Sequence, residues 1–206
     1  MSSETVSVLD HASGTGATET GWNGGPEVVA EALDVFDFWR EAGPDLWFAK
    51  DDDFDRLFRE RFLVLHEAAA RGELAFWQHS PYGALALILL LDQFPRNAFR
   101  GNPRMYATDP LARSVADAAV RAEYDYLVDP GIQVFFYLPF AHSESLPDQE
   151  RSVELVRRLG EPDLSHALGH HDIVRRFGRF PHRNPILGRT MTGEEQLFLD
   201  GGGYAG

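Results

Sequence analysis

The chain has 206 residues, of which 44% are hydrophobic and 25% are charged, a composition typical of a soluble globular protein. This length is sufficient for one domain with a substantial buried core. The formal net charge of −13 predicts an acidic surface that repels nucleic-acid phosphates and anionic membrane faces, so we expect neither as a partner. The absence of cysteine excludes disulfides, thiolate metal sites and cysteine nucleophiles.

The ends of the sequence differ from its middle in composition. Residues 1–25 are rich in Ser, Thr and Gly and lack the basic and apolar regions of a secretory signal, which predicts a disordered arm. The longest apolar run, "ALALILLL" at 84–91, is far shorter than the roughly 20 residues of a membrane helix. We therefore expect a cytoplasmic protein with one all-α domain over 26–200 and a flexible tail over 201–206.

Hydrophobic periodicity is helical along nearly the whole domain. The predicted helices, about eight with one short additional turn at 73–78, lie at 26–41, 51–72, 81–93, 108–126, 131–140, 147–159, 162–177 and from 192 onward. The segment 131–140, "GIQVFFYLPF", has residues typical of a strand. We predict a helix there, because a single strand among helices has no partner.

Two segments between these helices contain no Asp or Glu although the chain is acidic. Residues 93–107 carry three arginines and residues 173–192 carry five. Each contains a similar motif, "FPRN" in the first and "FPHRN" in the second. In both we expect the proline to break the preceding helix and to start a loop. The similarity has two explanations, a duplicated helix–loop–helix unit or coincidence at proline-rich turns.

The arginines of these motifs, Arg96 and Arg183, also have two interpretations. They either bond the carbonyl groups that a helix break leaves open, or face each other across a groove and clamp an anion. A local basic pocket within an acidic shell suits a small anion, and arginine forms planar bidentate contacts with carboxylate or phosphate.

Histidines and carboxylates near these motifs are candidates for acid–base chemistry. A histidine beside a carboxylate can transfer protons near neutral pH, and we expect His142 or His182 to do so with Asp92 or Glu144 orienting it. Asp92 follows the apolar run, so we expect it to be partly buried and paired with an arginine. The alternative is that these ion pairs only fix helix ends.

The sequence predicts neither a metal nor a cofactor. Three histidines with Glu144 could in principle bind zinc or iron, but their spacing does not match a helix-borne pair such as His-Glu-x-x-His. No glycine-rich phosphate loop or dinucleotide-binding motif precedes a helix.

Long stretches of the chain resemble a bacterial family catalogued as domain of unknown function 924. The similar stretches include "GALALILLLDQFPRNAFRG", "YLPFAHSESLPDQERSVEL" and "RFGRFPHRNPILGRTMTGEEQLFL", and the resemblance extends over about 27–199. It implies a single all-α domain of tetratricopeptide-like antiparallel helical hairpins, with 131–140 helical. The characteristic blocks of the family map to 92–97, 142–144 and 179–184, and to His170. The resemblance implies no established activity, substrate or cofactor.

Together these observations predict a small anionic ligand, a carboxylate or a phosphate, in an arginine- and histidine-lined pocket, with acid–base chemistry on it. One alternative is a non-enzymatic helical-repeat module that binds a peptide or protein partner, which could be a second copy of the chain in a homodimer. The other alternative is that the polar cluster is purely structural. The candidate catalytic residues are His142, His182, Glu144 and Asp92. The candidate ligand-binding residues are Gln93, Arg96, Asn97, His170, Arg179, Arg183 and Asn184.

Overall fold

The structure, a computed structural model, describes residues 28–206, and the predicted arm at 1–25 lies outside them. Within this range the chain forms ten α-helices and no strand. They are α1 (Ala30–Ala42), α2 (Pro44–Trp47), α3 (Asp52–Ala70), α4 (Pro81–Ile88), α5 (Phe94–Ala98), α6 (Asp109–Arg121), α7 (Leu138–Ala141), α8 (Leu146–Val156), α9 (Asp163–Phe177) and α10 (Gly193–Asp200). The all-α prediction is confirmed, whereas the tetratricopeptide-like arrangement stays a prediction.

Capping residues determine where several helices begin and end. Asp51 accepts hydrogen bonds from the first backbone N–H groups of α3, which would otherwise be unpaired. Thr192 and Glu195 form a capping box at the start of α10, as the sequence predicts. At the other end of a helix, Gly178 ends α9 in a left-handed conformation.

The core contains the apolar faces of α1, α3 and α4. On α1 the buried face includes Ala32, Val35, Phe36 and Trp39, at the spacing that repeats on one side of a helix. Leu33 does not belong to this face, because it is 38% exposed. Ala32 takes the buried position one turn before Phe36.

The segment that resembled a strand is helical, as predicted. A 3₁₀-helix spans Pro130–Phe136 and leads into α7. Proline occupies an early position in each of these two short helices, where its missing N–H costs nothing. The strand-like composition reflects burial in the core, where Phe135 and Phe136 are fully buried.

The first arginine motif is not a loop, and that prediction was wrong. A π-helical turn, Leu89–Gln93, joins α4 to α5, so residues 81–98 form one nearly continuous helix and "FPRN" belongs to α5. Pro95 has no N–H and interrupts the helical bonding, and the chain accommodates it by widening to a π turn. The second motif adopts a different backbone, a 3₁₀ turn at Pro181–Arg183.

Side chains satisfy three successive carbonyl groups of the π turn. His66 Nδ1 donates to the Leu90 carbonyl at 2.9 Å, Thr108 Oγ1 to that of Leu91 at 2.6 Å, and Arg96 Nη1 to that of Asp92 at 2.7 Å. Buried backbone carbonyls require such partners. The irregular turn is therefore stabilised by its surroundings, and it brings Asp92 and Gln93 to the functional region described next.

Candidate functional site

A cavity of about 820 Å³ lies against the π turn and α5, and is also lined by residues of α2, α7 and α9 and by 180–183. This volume lies within the range of small-molecule sites. Aromatic and aliphatic side chains, among them Trp47, Leu138 and Ile173, form much of the lining. The polar part consists chiefly of predicted site residues: Gln93, Arg96, Asn97, His142, His170, His182 and Arg183.

Asp92 and His142 form a buried hydrogen-bonded pair at this cavity. Nδ1 of His142 lies 2.8 Å from Oδ1 of Asp92, whose other oxygen accepts a bond from Gln93 at 2.7 Å. Burial by itself raises the pKa of Asp92, but the positive charge of Arg96 and the hydrogen bonds from His142 and Gln93 bring it down to about 2. An ionised Asp92 can only accept, so the neutral imidazole carries its proton on Nδ1 and has a free lone pair on Nε2.

The charge state of His142 suits proton transfer. Burial, and then the positive charge of Arg96, lowers the pKa of His142 below its usual value. The imidazole is therefore neutral at pH 7 and can accept a proton at Nε2. A carboxylate that fixes the tautomer and orientation of a histidine is the arrangement found in general-base catalysis.

The two motif arginines meet at Asp109, near the start of α6. Arg96 forms a bidentate pair with Asp109 at 2.8 and 3.1 Å, and also lies 3.2 Å from Asp92. Burial opposes the charge of Arg96, but these two carboxylates raise its pKa. Arg183 has a looser contact, with Nη1 3.6 Å from Asp109. The anion between the two arginines is therefore a carboxylate of the protein itself.

Arg183 is the less neutralised of the two guanidinium groups. Burial, and then the charge of Arg96, lowers its pKa. Nη2 of Arg183 donates to the backbone carbonyl of His142 at 2.9 Å, and Arg96 donates to the Asp92 carbonyl. Both arginines thus bond carbonyl groups at helix irregularities. This agrees with the first of the two interpretations of the sequence, in which they bond carbonyl groups that a helix break leaves open. The Nε of Arg183 is buried and has no hydrogen-bond partner within residues 28–206.

His170 and His182 line the same cavity as neutral imidazoles. Burial, and then the neighbouring His142 and His182, lowers the pKa of His170 to about 3. Burial, and then Arg183, lowers the pKa of His182 to about 4. In the described part of the chain, Nδ1 of each ring is buried without a hydrogen-bond partner.

Asn97 reaches the cavity wall but has a partner in the protein. Its Nδ2 donates to Oδ1 of Asp55 at 2.7 Å, and Arg100, which also lines the cavity, pairs with the same carboxylate. Asn97 and Arg100 thereby attach α5 to α3.

Four predicted site residues are not among the residues that line the cavity: Asp92, which lies behind His142, and Glu144, Arg179 and Asn184. Glu144 does not orient His142, because it pairs with Arg189 at 2.7 and 2.9 Å and accepts the N–H of Phe180 at 2.8 Å. Arg179 is bound to Glu195 at 2.6 and 2.8 Å. Asn184 is fully buried, with its amide nitrogen 3.4 Å from Sδ of Met191. These contacts fix the second motif in place.

Sequence reasoning missed Asp109, Tyr106 and Tyr204. Asp109 was interpreted only as a helix start, although it is the first carboxylate after the acid-free stretch 93–107. Tyr106 lies in the same segment, and its ring faces the guanidinium of Arg183 with 4.5 Å between Cζ and the ring centroid. Tyr204 was assigned to the tail, where an aromatic residue among glycines was the available signal.

Neither a metal centre nor a membrane span emerges from the described residues. Over 28–206, no group of three or more His, Asp or Glu side chains is placed to hold a metal ion. Within the same residues, none of the helices combines the length and the apolar character that crossing a membrane requires.

A second cavity, of about 490 Å³, is lined in part by Arg158, which is paired with the buried Asp125.

Fold and site define an all-helical protein in which a buried Asp–His pair borders an arginine-lined cavity. The chain belongs to the family described as bacterial protein of unknown function (DUF924), whose model matches residues 35–203, as the resemblance in its motifs predicted. It is similar to a solved structure of a protein of unknown function from Agrobacterium tumefaciens, with 54% identity and a TM-score of 0.83. That match covers 85% of this chain and 99% of the other. No curated protein matches the chain.

Proposed function

We propose that the 820 Å³ cavity binds a small molecule with a carboxylate or phosphate group and an apolar body, and that His142 acts as a general base on it. The observation that carries the proposal is the pair formed by His142 and the fully buried Asp92, 2.8 Å apart, beside Arg183. An ionised carboxylate behind a histidine at a cavity wall fixes the tautomer that can accept a proton at Nε2.

The charges around the cavity support an anionic ligand. Asp92 and Asp109 both bond closely to Arg96, whereas Arg183 is 3.6 Å from Asp109. A buried guanidinium with incomplete neutralisation favours an anion nearby. His170 and His182, which line the same cavity, add two neutral imidazole rings.

The shape of the site favours a small molecule over a peptide. The polar side chains from three separate parts of the sequence converge on one cavity, whereas helical-repeat modules bind peptides along an extended concave surface. The apolar lining suits the body of the ligand, and the arginine and histidines suit its head group.

Isothermal titration of the full chain with acetate and with inorganic phosphate tests the proposal. We expect Arg183→Met to weaken binding of the preferred anion by at least about tenfold, since a charge-assisted bond is lost. Arg175→Met is the matched control, because Arg175 is exposed and pairs only with Asp172. Arg183→Lys keeps the charge while removing the planar fork, so it should retain part of the affinity.

Two results would contradict the proposal. One is that neither anion binds the wild-type protein. The other is that Arg183→Met and Arg175→Met bind the anion equally well, which would place the bound anion outside the cavity. Circular dichroism of each variant excludes loss of folding as the cause of weaker binding.

A further inference from the structure

The chain after α10 turns back toward the cavity. Gly202 has a left-handed backbone with φ +82°, its N–H donates to the carbonyl of Leu199 at 3.0 Å, and the N–H of Gly203 donates to that of Phe198 at 2.9 Å. These are the bonds of a Schellman motif, which ends a helix and redirects the chain. Gly203 also lies flat on the ring of Phe198, where an added Cβ would be 2.5 Å from ring carbons.

This turn places Tyr204 in the cavity wall. Its ring meets His170 and His182 edge to face, with centroids 4.7 and 5.1 Å apart. Burial raises the pKa of the Tyr204 phenol, while the positive charges of Arg96 and Arg183 act in the opposite direction. Tyr204, Arg96 and Arg183 all line the same cavity.

Tyr204 nevertheless remains accessible from outside. It is 44% exposed, unlike the aromatic residues of the core. A side chain that lines a cavity while much of its surface stays in solvent can leave that cavity without disrupting the packed interior. Its contacts with the two imidazoles are of the kind that another aromatic ring would make equally well.

We propose that Tyr204 occupies a subsite for an aromatic ring, and that a small aromatic carboxylate displaces the segment 201–206 when it enters the cavity. This inference rests on the proposed anion site and adds the chemical class of the ligand. An aryl carboxylate suits this arrangement, because its ring can contact His170 and His182 as the ring of Tyr204 does, while its carboxylate pairs with Arg183 in the same cavity.

The neutral state of the two histidines agrees with this assignment. Burial lowers the pKa of both rings, so they offer uncharged faces and edges to an aromatic ring. Both rings line the cavity beside Tyr204.

The first test uses 4-methylphenol, the neutral analogue of the tyrosine side chain. Space vacated by a side chain can bind a small molecule of the same shape. We expect full-length Tyr204→Ala to bind 4-methylphenol at least about tenfold more tightly than the wild-type protein does. Tyr126→Ala is the matched control, because Tyr126 is 64% exposed and lines the other cavity. Equal affinity in all three proteins would overturn the subsite.

The second test compares 3-phenylpropanoate with acetate on the same proteins. We expect Tyr204→Ala to gain affinity for 3-phenylpropanoate and to leave acetate binding within about twofold, because only the aromatic probe competes with the tyrosine ring. Equal gains for both probes would overturn the claim that the ring of the ligand takes the place of Tyr204.

These outcomes separate the inference from the function on which it rests. Failure of both anions to bind the wild-type protein contradicts the proposed function, whereas the 4-methylphenol result does not depend on charge. If acetate or phosphate binds through Arg183 and 4-methylphenol does not distinguish the variants, the anion site stands and the aromatic subsite is rejected.

Discussion

Nδ1 of His142 lies 2.8 Å from Oδ1 of Asp92, a residue 50 positions earlier in the chain whose side chain is fully buried. The π turn before Pro95 places the carboxylate, and the end of α7 places the imidazole. Arg96 and Gln93 hold the carboxylate from other directions. The pair is therefore oriented before any ligand arrives, as an acid–base site requires.

Removing the charge of Asp92 should destabilise the fold. Asp92→Asn leaves Arg96 buried with Asp109 as its remaining close carboxylate, and breaking a buried ion pair costs about 3–5 kcal/mol. The control is Asp37→Asn, whose pair with Arg40 is about half exposed and contributes at most about 1 kcal/mol. Urea unfolding measures both, and similar losses in the two variants would contradict this assignment.

The π turn should depend on the hydroxyl of Thr108. Thr108→Val keeps the shape of the side chain but leaves the buried Leu91 carbonyl without its donor, at a cost of about 1–3 kcal/mol. Thr190→Val, at an exposed position, should change the free energy of unfolding by less than about 0.5 kcal/mol. Thermal unfolding compares the two. An equal effect would mean that the Leu91 carbonyl finds another donor.

Stability should fall as the pH drops from about 6.5 to about 4. The folded-state pKa values of His170 and His182 are about 3 and about 4, below the usual 6.5. In this range the unfolded chain binds more protons, so the stabilisation present above pH 6.5 is lost progressively. Among the charged and titratable groups facing the two rings, His142 and Arg183 act on both pKa values, His166 acts on that of His170, and Glu144 and Arg189 act on that of His182.

Urea midpoints between pH 4 and pH 8 measure this dependence. The double variant His170→Asn, His182→Asn should have a flatter profile over the same range, because asparagine does not titrate. An unchanged slope in the double variant would assign the pH dependence to other groups.

The orientation of Tyr204 should depend on Gly202. At φ +82° a Cβ is unfavourable by about 1–2 kcal/mol, so Gly202→Ala should loosen the segment 201–206. Amide hydrogen exchange of Gly203 and Tyr204 should then become faster. Gly193→Ala is the control, since a Cβ there meets nothing within 4 Å and its φ is not positive. Unchanged exchange in Gly202→Ala would show that the motif does not hold the tyrosine.

Much of the fold follows from local sequence signals, which act within a few residues. The helix starting at Thr192 was predicted because its cap is encoded locally. The helical state of 131–140 was predicted from its helical neighbours, since a single strand among them has no partner. The π turn was not, since the donors that stabilise it, His66 and Thr108, come from distant positions. Local patterns do not contain that information.

The site was partly predictable for the same reason. His142, Asp92 and Arg96 stood out as polar residues at breaks between apolar helices, and the structure brings them together. Glu144 was selected because it lies two residues from His142, but its partner is Arg189. Proximity in sequence does not determine which of several arginines and carboxylates pair, because tertiary packing makes that choice.

The most direct test of the anion site is a nuclear magnetic resonance titration of the wild-type protein, in which ¹⁵N signals of histidine rings and of arginine Nε are followed as acetate or phosphate is added. We predict that the signals of His142 and Arg183 shift together, with one common dissociation constant, while that of the exposed Arg175 stays in place. Shifts confined to Arg175 and other surface arginines, with His142 and Arg183 unchanged, would contradict the assignment of the cavity as an anion site.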